Sequence, residues 1–290
     1  MNCIWSKYVQ GIKTLYYSRK LRFDDMFSEQ YKQLFELDFS KHIKILEVGC
    51  GPGALAEALH RWYPQADITA IDRDSEFIRF AKENKKDVTF LEADAVNLPF
   101  EDNTFDVTIS NTVSEHIEPS KFYGEQFRVL KPGGICLVLS SRKGINITPS
   151  CMALNDFEQQ FWEKYSQYDD SMSRYDVCKY PMSEAELPLT MAEYGFQKIK
   201  TGFATIDLTP DHPRFSSDMA YNMINANRYT SIDAIEATLH TMPDLVTIEE
   251  TEEMKHFVNA KYDMRIEQYD RGEKQWDTNV SIIMVVRGIK

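Results

Sequence analysis

Between residues 43 and 140 the chain alternates short apolar runs, rich in β-branched residues, with stretches whose apolar positions recur at helical spacing. "IKILEVG", "DITAID", "DVTFLEAD", "FDVTISN" and "GICLVLSS" have the length and composition of strands, and "LAEALHRWY", "SEFIRFAKEN" and "FYGEQFRVL" read as helices among them. Strand followed by helix at such short intervals predicts a parallel sheet covered on both faces, with right-handed crossovers.

Ahead of this region, "FDDMFSEQYKQLFELD" sets Phe27, Tyr31, Leu34 and Phe35 at helical spacing, and the pair Asp24 and Asp25 is placed to cap its start. Residues 1–40 are therefore expected to form a helical cap on the domain of residues 41–290. After Ser141 the rhythm breaks. Residues 142–182 carry Phe157, Phe161, Trp162, Tyr165, Tyr168, Tyr175 and Tyr180, which suggests a helical insertion or lid after the fifth strand. "EAELPLTMAEYGF" returns to a helix ending at Gly195, its start blurred by Pro188, and "QKIKTGFATIDL" reads as a further strand. A second helical insertion over residues 212–276 precedes "TNVSIIMVVRG", a buried last strand. No internal repeat and no linker rich in Gly, Ser or Pro divides the chain.

Charge changes the picture of partners. With 33 basic against 45 acidic residues the formal net charge is -12, which repels a polyanion and disfavours nucleic acid. The short basic cluster "KTLYYSRKLR", with Lys13, Arg19, Lys20 and Arg22, reads as a solvated helix face. The five cysteines, Cys3, Cys50, Cys136, Cys151 and Cys178, form no CxxC pair and read as free thiols of a reducing compartment, with Cys50 and Cys136 as small buried hydrophobes. No run approaches the ~20 apolar residues that cross a bilayer. The expectation is a cytoplasmic protein without a membrane partner.

In "EVGCGPGAL" the first strand ends near Val48, and Gly49, Gly51 and Gly53 remove side chains where a ligand would approach the backbone. Pro52 removes one amide donor, which suits a ribose or an amino-acid tail better than a phosphate nest. Asp72 closes the second strand, where a carboxylate can accept both hydroxyls of a ribose, for NAD and for an adenosyl sulfonium alike; its neighbour Asp74 better fits a helix cap. Asp94 closes the third strand and can accept from the exocyclic amine of an adenine, with Leu98 or a neighbour covering the ring.

At this point the ordered set resembles the class I S-adenosylmethionine-dependent methyltransferases, of the type 11/25-like kind. "ILEVGCGPGAL" matches their glycine-rich first motif, "ITAIDRD" the acidic second and "LEADAVNLPF" the adenine-side third; "FDVTISN" and "FRVLKPGGICLVLS" match the fourth and fifth. The resemblance covers residues 43–140 and implies a Rossmann-like α/β fold whose seven-stranded, mostly parallel sheet has its last strand antiparallel. The helical N-terminal segment and the helical insertions would be additions to it.

The resemblance further implies S-adenosyl-L-methionine as cofactor and S-adenosyl-L-homocysteine as product. Gly49, Gly51 and Gly53 would lie along the methionine and ribose, and Asp72 would hold the ribose diol. Asp94 and Ala95 would border the adenine, and Asn111 would sit near the transferable methyl. Glu47 matches the acidic residue that helps position the amino-acid end, or else fixes the turn by a hydrogen bond. His116, in "SNTVSEHIEP", is the candidate general base, against a packing or cofactor-side role. The aromatics of 157–180, with Tyr16 and Tyr17, could line an acceptor pocket or simply hold an insertion down.

The implied reaction moves a methyl group to O, N or S of a small-molecule acceptor, by in-line displacement. "SNTV" stands where an "NPPY"-like tetrapeptide would mark amino-group methylation of DNA bases or protein glutamine. Neither HxxxH nor HExxH marks a metal site, and GxSxG is absent. A protein or RNA methyltransferase, a NAD(P)-dependent oxidoreductase read through Ala54, and a non-catalytic cofactor-binding protein remain the alternatives.

Overall fold

The computed structural model describes residues 5–38, 40–84, 87–166 and 177–290; Cys3, Tyr168, Tyr175 and the side chain of Tyr165 lie outside what it describes. Seven strands are found: β1 (Lys44–Val48), β2 (Asp67–Asp72), β3 (Thr89–Glu92), β4 (Phe105–Asn111), β5 (Leu130–Ile147), β6 (Gln197–Leu208) and β7 (Thr278–Ile289). They form one sheet in the order β3-β2-β1-β4-β5-β7-β6. The first five run parallel, and β7 lies antiparallel between β5 and β6.

The central strands bury both faces, which is why they read as near-continuous apolar runs. Ile45, Leu137, Leu139, Ile283 and Val285 enter one core, and Leu46, Val48, Val138, Met284 and Val286 enter the other. The period of two that separates these sets puts Glu47 on the side of Ile45. That side is covered by α1 (Ile12–Arg22), α2 (Ser28–Phe35) and α3 (Ala54–Trp62), where Tyr31 stacks on Trp62 at 5.4 Å between ring centroids. Tyr16 pins α1 to α3: its hydroxyl donates to the buried Glu57 carboxylate at 3.0 Å.

Asp24 caps a short turn ahead of α2 by accepting from the Met26 amide at 3.0 Å. α4 (Ser75–Asn84) is capped by Asp74, which accepts from the Glu76 amide at 3.0 Å. Pro188 falls in the first turn of α7 (Glu186–Glu193), where its missing N–H breaks no helical bond. α5 (Pro119–Val129) and α7 pack on the second face through Phe122, Tyr123, Leu187 and Met191.

Two expectations need correction. β5 does not stop at Ser141; it continues to Ile147, pairing Arg142 with Ile282 and Ile145 with Val280 across a register shift. The first insertion therefore begins beyond Ile147, with α6 (Asp156–Ser166). The basic cluster "KTLYYSRKLR" is a solvated face only in part: Lys13 and Lys20 are exposed, whereas Arg19 and Arg22 turn inward to Thr112 and Ser281.

Between β6 and β7 stand two long helices, α8 (Ser217–Thr241) and α9 (Ile248–Asp270). Thr247 and Glu250 form a reciprocal capping box that starts α9, a device worth on the order of 1 kcal/mol. Phe161 of α6 joins Ile235, Val246, Met254 and Val258 in a small separate core. Among the described residues no helix is long and apolar enough to cross a membrane.

Candidate cofactor site

β1 has β2 on one side and β4 on the other, so the loops after these strands diverge and leave a crevice at the carboxyl edge of the sheet. A cavity of ≈ 270 Å³ opens there, with Gly49, Gly51, Asp72, Asp94, Thr112 and His116 among its walls. Gly49 and Gly53 have φ of +72° and +92°, in the left-handed region that side chains disfavour. A Cβ on Gly49 would also come within 2.5 Å of Val113, and one on Gly53 within 2.9 Å of the Phe90 ring. The turn thus needs glycine for both its shape and its neighbours.

Asp72 ties the turn to the second strand. One carboxylate oxygen accepts from the Gly51 amide at 2.8 Å and the other from the Asp74 amide at 2.9 Å. Each oxygen keeps a lone pair, and the side chain forms part of the cavity wall. Burial raises its pKa against the opposing pull of those two amides. Asp94, exposed at the mouth, accepts from the Val96 amide at 3.1 Å, and Ala95 lies beside it in the wall.

Glu47 sits beneath the turn, wholly buried, and neither carboxylate oxygen has a hydrogen-bond partner. Burial pushes its pKa up to about 8; Arg19 and, more weakly, the Ala56 amide oppose the shift and Asp72 reinforces it. A buried carboxylate with no donor is costly in isolation and marks a place where a donor is missing.

The residue that sequence reading missed is Arg19. Its guanidinium donates to Thr112 Oγ1 at 2.5 Å and to the Asn111 carbonyl at 3.4 Å, and it forms part of the cavity wall. Burial lowers its pKa, while Glu47, Asp72 and Glu115 counter that effect. A signal existed: Arg19 lies one helical turn from Leu15, which is 6% exposed and lines the same cavity.

Asn111 ends β4 with its side chain 4% exposed and its Oδ1 unpartnered, behind the cavity wall formed by Thr112 and Val113. Thr112 has φ of +54°, an uncommon conformation for a β-branched residue, and holds it with bonds to Leu139 and Arg19.

His116 closes a short turn, Ser114–His116, at the outer end of the cavity. Its Nδ1 accepts from the Cys178 amide at 2.8 Å, and the Trp5 ring meets it edge to face at 4.8 Å. Burial, with the charges of Arg73 and Arg19, pushes its pKa down to about 4. Two distant segments thus converge on this residue. Residues 5–9 are held by Ser6, whose amide and hydroxyl donate to Asp74 at 2.9 and 3.1 Å, and the Tyr180 amide donates to the Glu115 carbonyl at 2.8 Å.

Of the aromatics considered for an acceptor pocket, Tyr180 lines this cavity. Tyr16 is engaged with Glu57, Tyr17 faces Tyr229 at 6.3 Å, and Phe157, Phe161 and Trp162 belong to the α6–α8–α9 core. Among the described residues no group of three or more His, Cys, Asp or Glu could hold a metal ion.

The arrangement fits a molecule with an α-amino acid at one end and an adenosine at the other. Glu47 lacks a cationic donor, Arg19 offers a guanidinium to a carboxylate, Asp72 faces the middle and Asp94 the far end.

Comparison with known proteins points to the same cofactor. Residues 46–138 match the family of the methyltransferase domain. The chain is 32% identical over 152 residues to the fatty-acid O-methyltransferase of Mycolicibacterium smegmatis, a match covering 51% of this chain and 44% of that protein. It is 38% identical over 94 residues to the demethylmenaquinone methyltransferase of Paenarthrobacter aurescens, covering 31% and 36%. The matches thus span less than half the length of these relatives. Phosphoethanolamine N-methyltransferase 2 of Haemonchus contortus, solved with S-adenosyl-L-methionine, superposes with a TM-score of 0.53. That likeness covers 100% of this chain and 60% of the other at 16% identity, and so speaks for the fold alone. The glycine turn, the Asp72 tie and the seven-stranded sheet accord with the match of residues 46–138 to the methyltransferase domain.

Proposed function

We propose that the protein transfers a methyl group from S-adenosyl-L-methionine to a small-molecule acceptor. The observation that carries this reading is the buried, unpartnered Glu47 carboxylate beneath a glycine turn that, with the Arg19 guanidinium, walls the cavity. The relatives named above act, by their names, on a fatty acid and on demethylmenaquinone, which supports a small acceptor here as well.

When bound, S-adenosyl-L-methionine supplies an electrophilic sulfonium methyl, so the protein's task is to align the acceptor and exclude water. Glu47 accepts hydrogen bonds from the ammonium group, and Arg19 holds the carboxylate. Asp72 accepts from the ribose hydroxyls while keeping the Gly51 amide in place, and Asp94 with Ala95 borders the adenine. Trp5 and Tyr180 cover the outer end and keep solvent from the reacting groups.

His116 is better suited to donating a hydrogen bond than to accepting a proton. With Nδ1 occupied by the Cys178 amide, the neutral ring carries its proton on Nε2, and a pKa near 4 makes it a weak base. Its role in this reading is to orient the cover, held by the Cys178 amide and the Thr112 backbone.

Incubation with methyl-labelled S-adenosyl-L-methionine and a metabolite extract tests the proposal. Label should appear in low-molecular-weight products; label confined to protein or RNA would replace the acceptor class, and no transfer with bound cofactor would leave a binding protein.

A further inference from the structure

A second cavity, of ≈ 360 Å³, opens at the same carboxyl edge of the sheet where β5, β6 and β7 meet α6, α8 and α9. Arg265 of α9 forms part of its wall and is wholly buried. Its Nε and Nη2 donate to Asp277 at 2.9 and 2.6 Å, and Nη2 also to Asp211 at 3.0 Å. Nη1 has no partner. A buried guanidinium nitrogen left without a protein acceptor calls for an oxygen from outside the chain, which a ligand in the cavity would bring.

The charges around the cavity are already matched. Lys261 is paired with the buried Glu158 and donates to the Ala153 carbonyl at 2.7 Å, so in the wall Arg265 and Lys261 stand against Glu158 and Asp277, while Asp211 sits behind Arg265, paired with it. An anion finds no surplus positive charge here, and a cation finds carboxylates that are already paired. The rest of the wall combines the amides of Asn146, Asn227 and Asn279 with apolar groups, among them Ile147 and Leu154, which are 52% and 46% exposed at the rim.

A smaller void of ≈ 90 Å³ shares Leu208, Asn227, Thr230 and Asn279 with this cavity and is bounded on its other side by Ser18 and Arg22 of α1. These two residues neighbour the turn that carries Leu15 and Arg19 in the cofactor cavity. The three spaces follow one another along the sheet edge.

We propose that the second cavity binds the methyl acceptor, and that this acceptor is an uncharged amphiphile. A hydroxyl or carbonyl oxygen meets Arg265 Nη1, and the apolar body lies against Ile147 and Leu154. This assignment rests on the methyltransferase reading above.

n-Octyl β-D-glucoside below its micellar concentration, octanoate and octylamine, each titrated calorimetrically into the full chain, test it. The glucoside should bind at least tenfold tighter than either ion. Asn227→Trp or Ser231→Phe, each filling the space beside α8, should abolish that binding while S-adenosylhomocysteine affinity, which also reports folding, is unchanged. Arg265→Lys, which keeps the charge beside Asp211 and Asp277 but loses the fork, should weaken it. Equal or tighter binding of an ion, undiminished glucoside binding to both filled variants, or no binding at all would overturn the assignment. S-adenosylhomocysteine bound without glucoside would overturn this assignment alone, whereas failure of the wild-type chain to bind S-adenosylhomocysteine would remove the methyltransferase reading beneath it.

Discussion

The backbone amide of Cys178 donates to Nδ1 of His116 at 2.8 Å, joining the end of one insertion to the turn after β4. Because that nitrogen is an acceptor and burial depresses the ring's pKa to about 4, His116 should stay neutral throughout the physiological range. The unfolded chain binds the proton between about 4 and 6.5 while the native state does not, so stability is full above pH 6.5 and declines as the pH falls toward 4. NMR titration of the imidazole checks the value. His116→Asn should lower turnover less than about tenfold, whereas a general base contributes roughly 10²–10⁴-fold; a larger loss, with a kinetic pKa near 6.5 that disappears in the variant, would restore His116 as the base.

Glu47 yields a prediction of opposite sign. Its pKa is raised from 4.5 to about 8, so the ligand-free native state holds a proton that the unfolded chain releases, and stability falls as the pH rises through that window. An ammonium group brought by the cofactor favours the charged carboxylate and should expel the proton. Calorimetry at pH 7 in buffers of different ionisation enthalpy should show release of up to one proton on binding S-adenosylhomocysteine. Glu47→Gln should abolish the release and weaken binding about 10- to 100-fold, as expected for a lost charge-assisted hydrogen bond.

Arg19 should recognise only the amino-acid end. Arg19→Ala is expected to weaken S-adenosylhomocysteine about 10- to 100-fold and to leave 5′-methylthioadenosine, which has no carboxylate, within a factor of about three. Equal losses for both ligands would show that Arg19 shapes the cavity rather than binding a carboxylate.

Gly49→Ala should destabilise the fold by about 1–2 kcal/mol from the left-handed backbone alone, with a further loss from the clash with Val113. Thermal unfolding measures it. A variant as stable as the wild type would show that the turn relaxes without glycine.

The central sheet was readable because its strands are buried on both faces, so "KILEV" and "FDVTISN" carry dense β-branched and apolar signals. The outer part of β5 was not. Residues 143–147 are exposed, and 142–147 pair with β7 alone in the sheet, so "RKGINI" carries no apolar pattern to announce a strand. The turn glycines and Asp72 were legible from spacing along one strand and the next. Arg19 was misread because its inward direction depends on how α1 docks, and the state of His116 depends on Trp5 and Cys178, both remote in the chain. Spacing locates residues that share an element; contacts between elements decide their charge and their partners.

Titrating the full chain with S-adenosylhomocysteine and, separately, with NAD discriminates most directly between an adenosyl sulfonium site and a dinucleotide site. Micromolar binding of S-adenosylhomocysteine with no measurable NAD binding is the predicted result; NAD bound in its place would contradict the assignment of Glu47, Arg19 and the glycine turn to an amino-acid end.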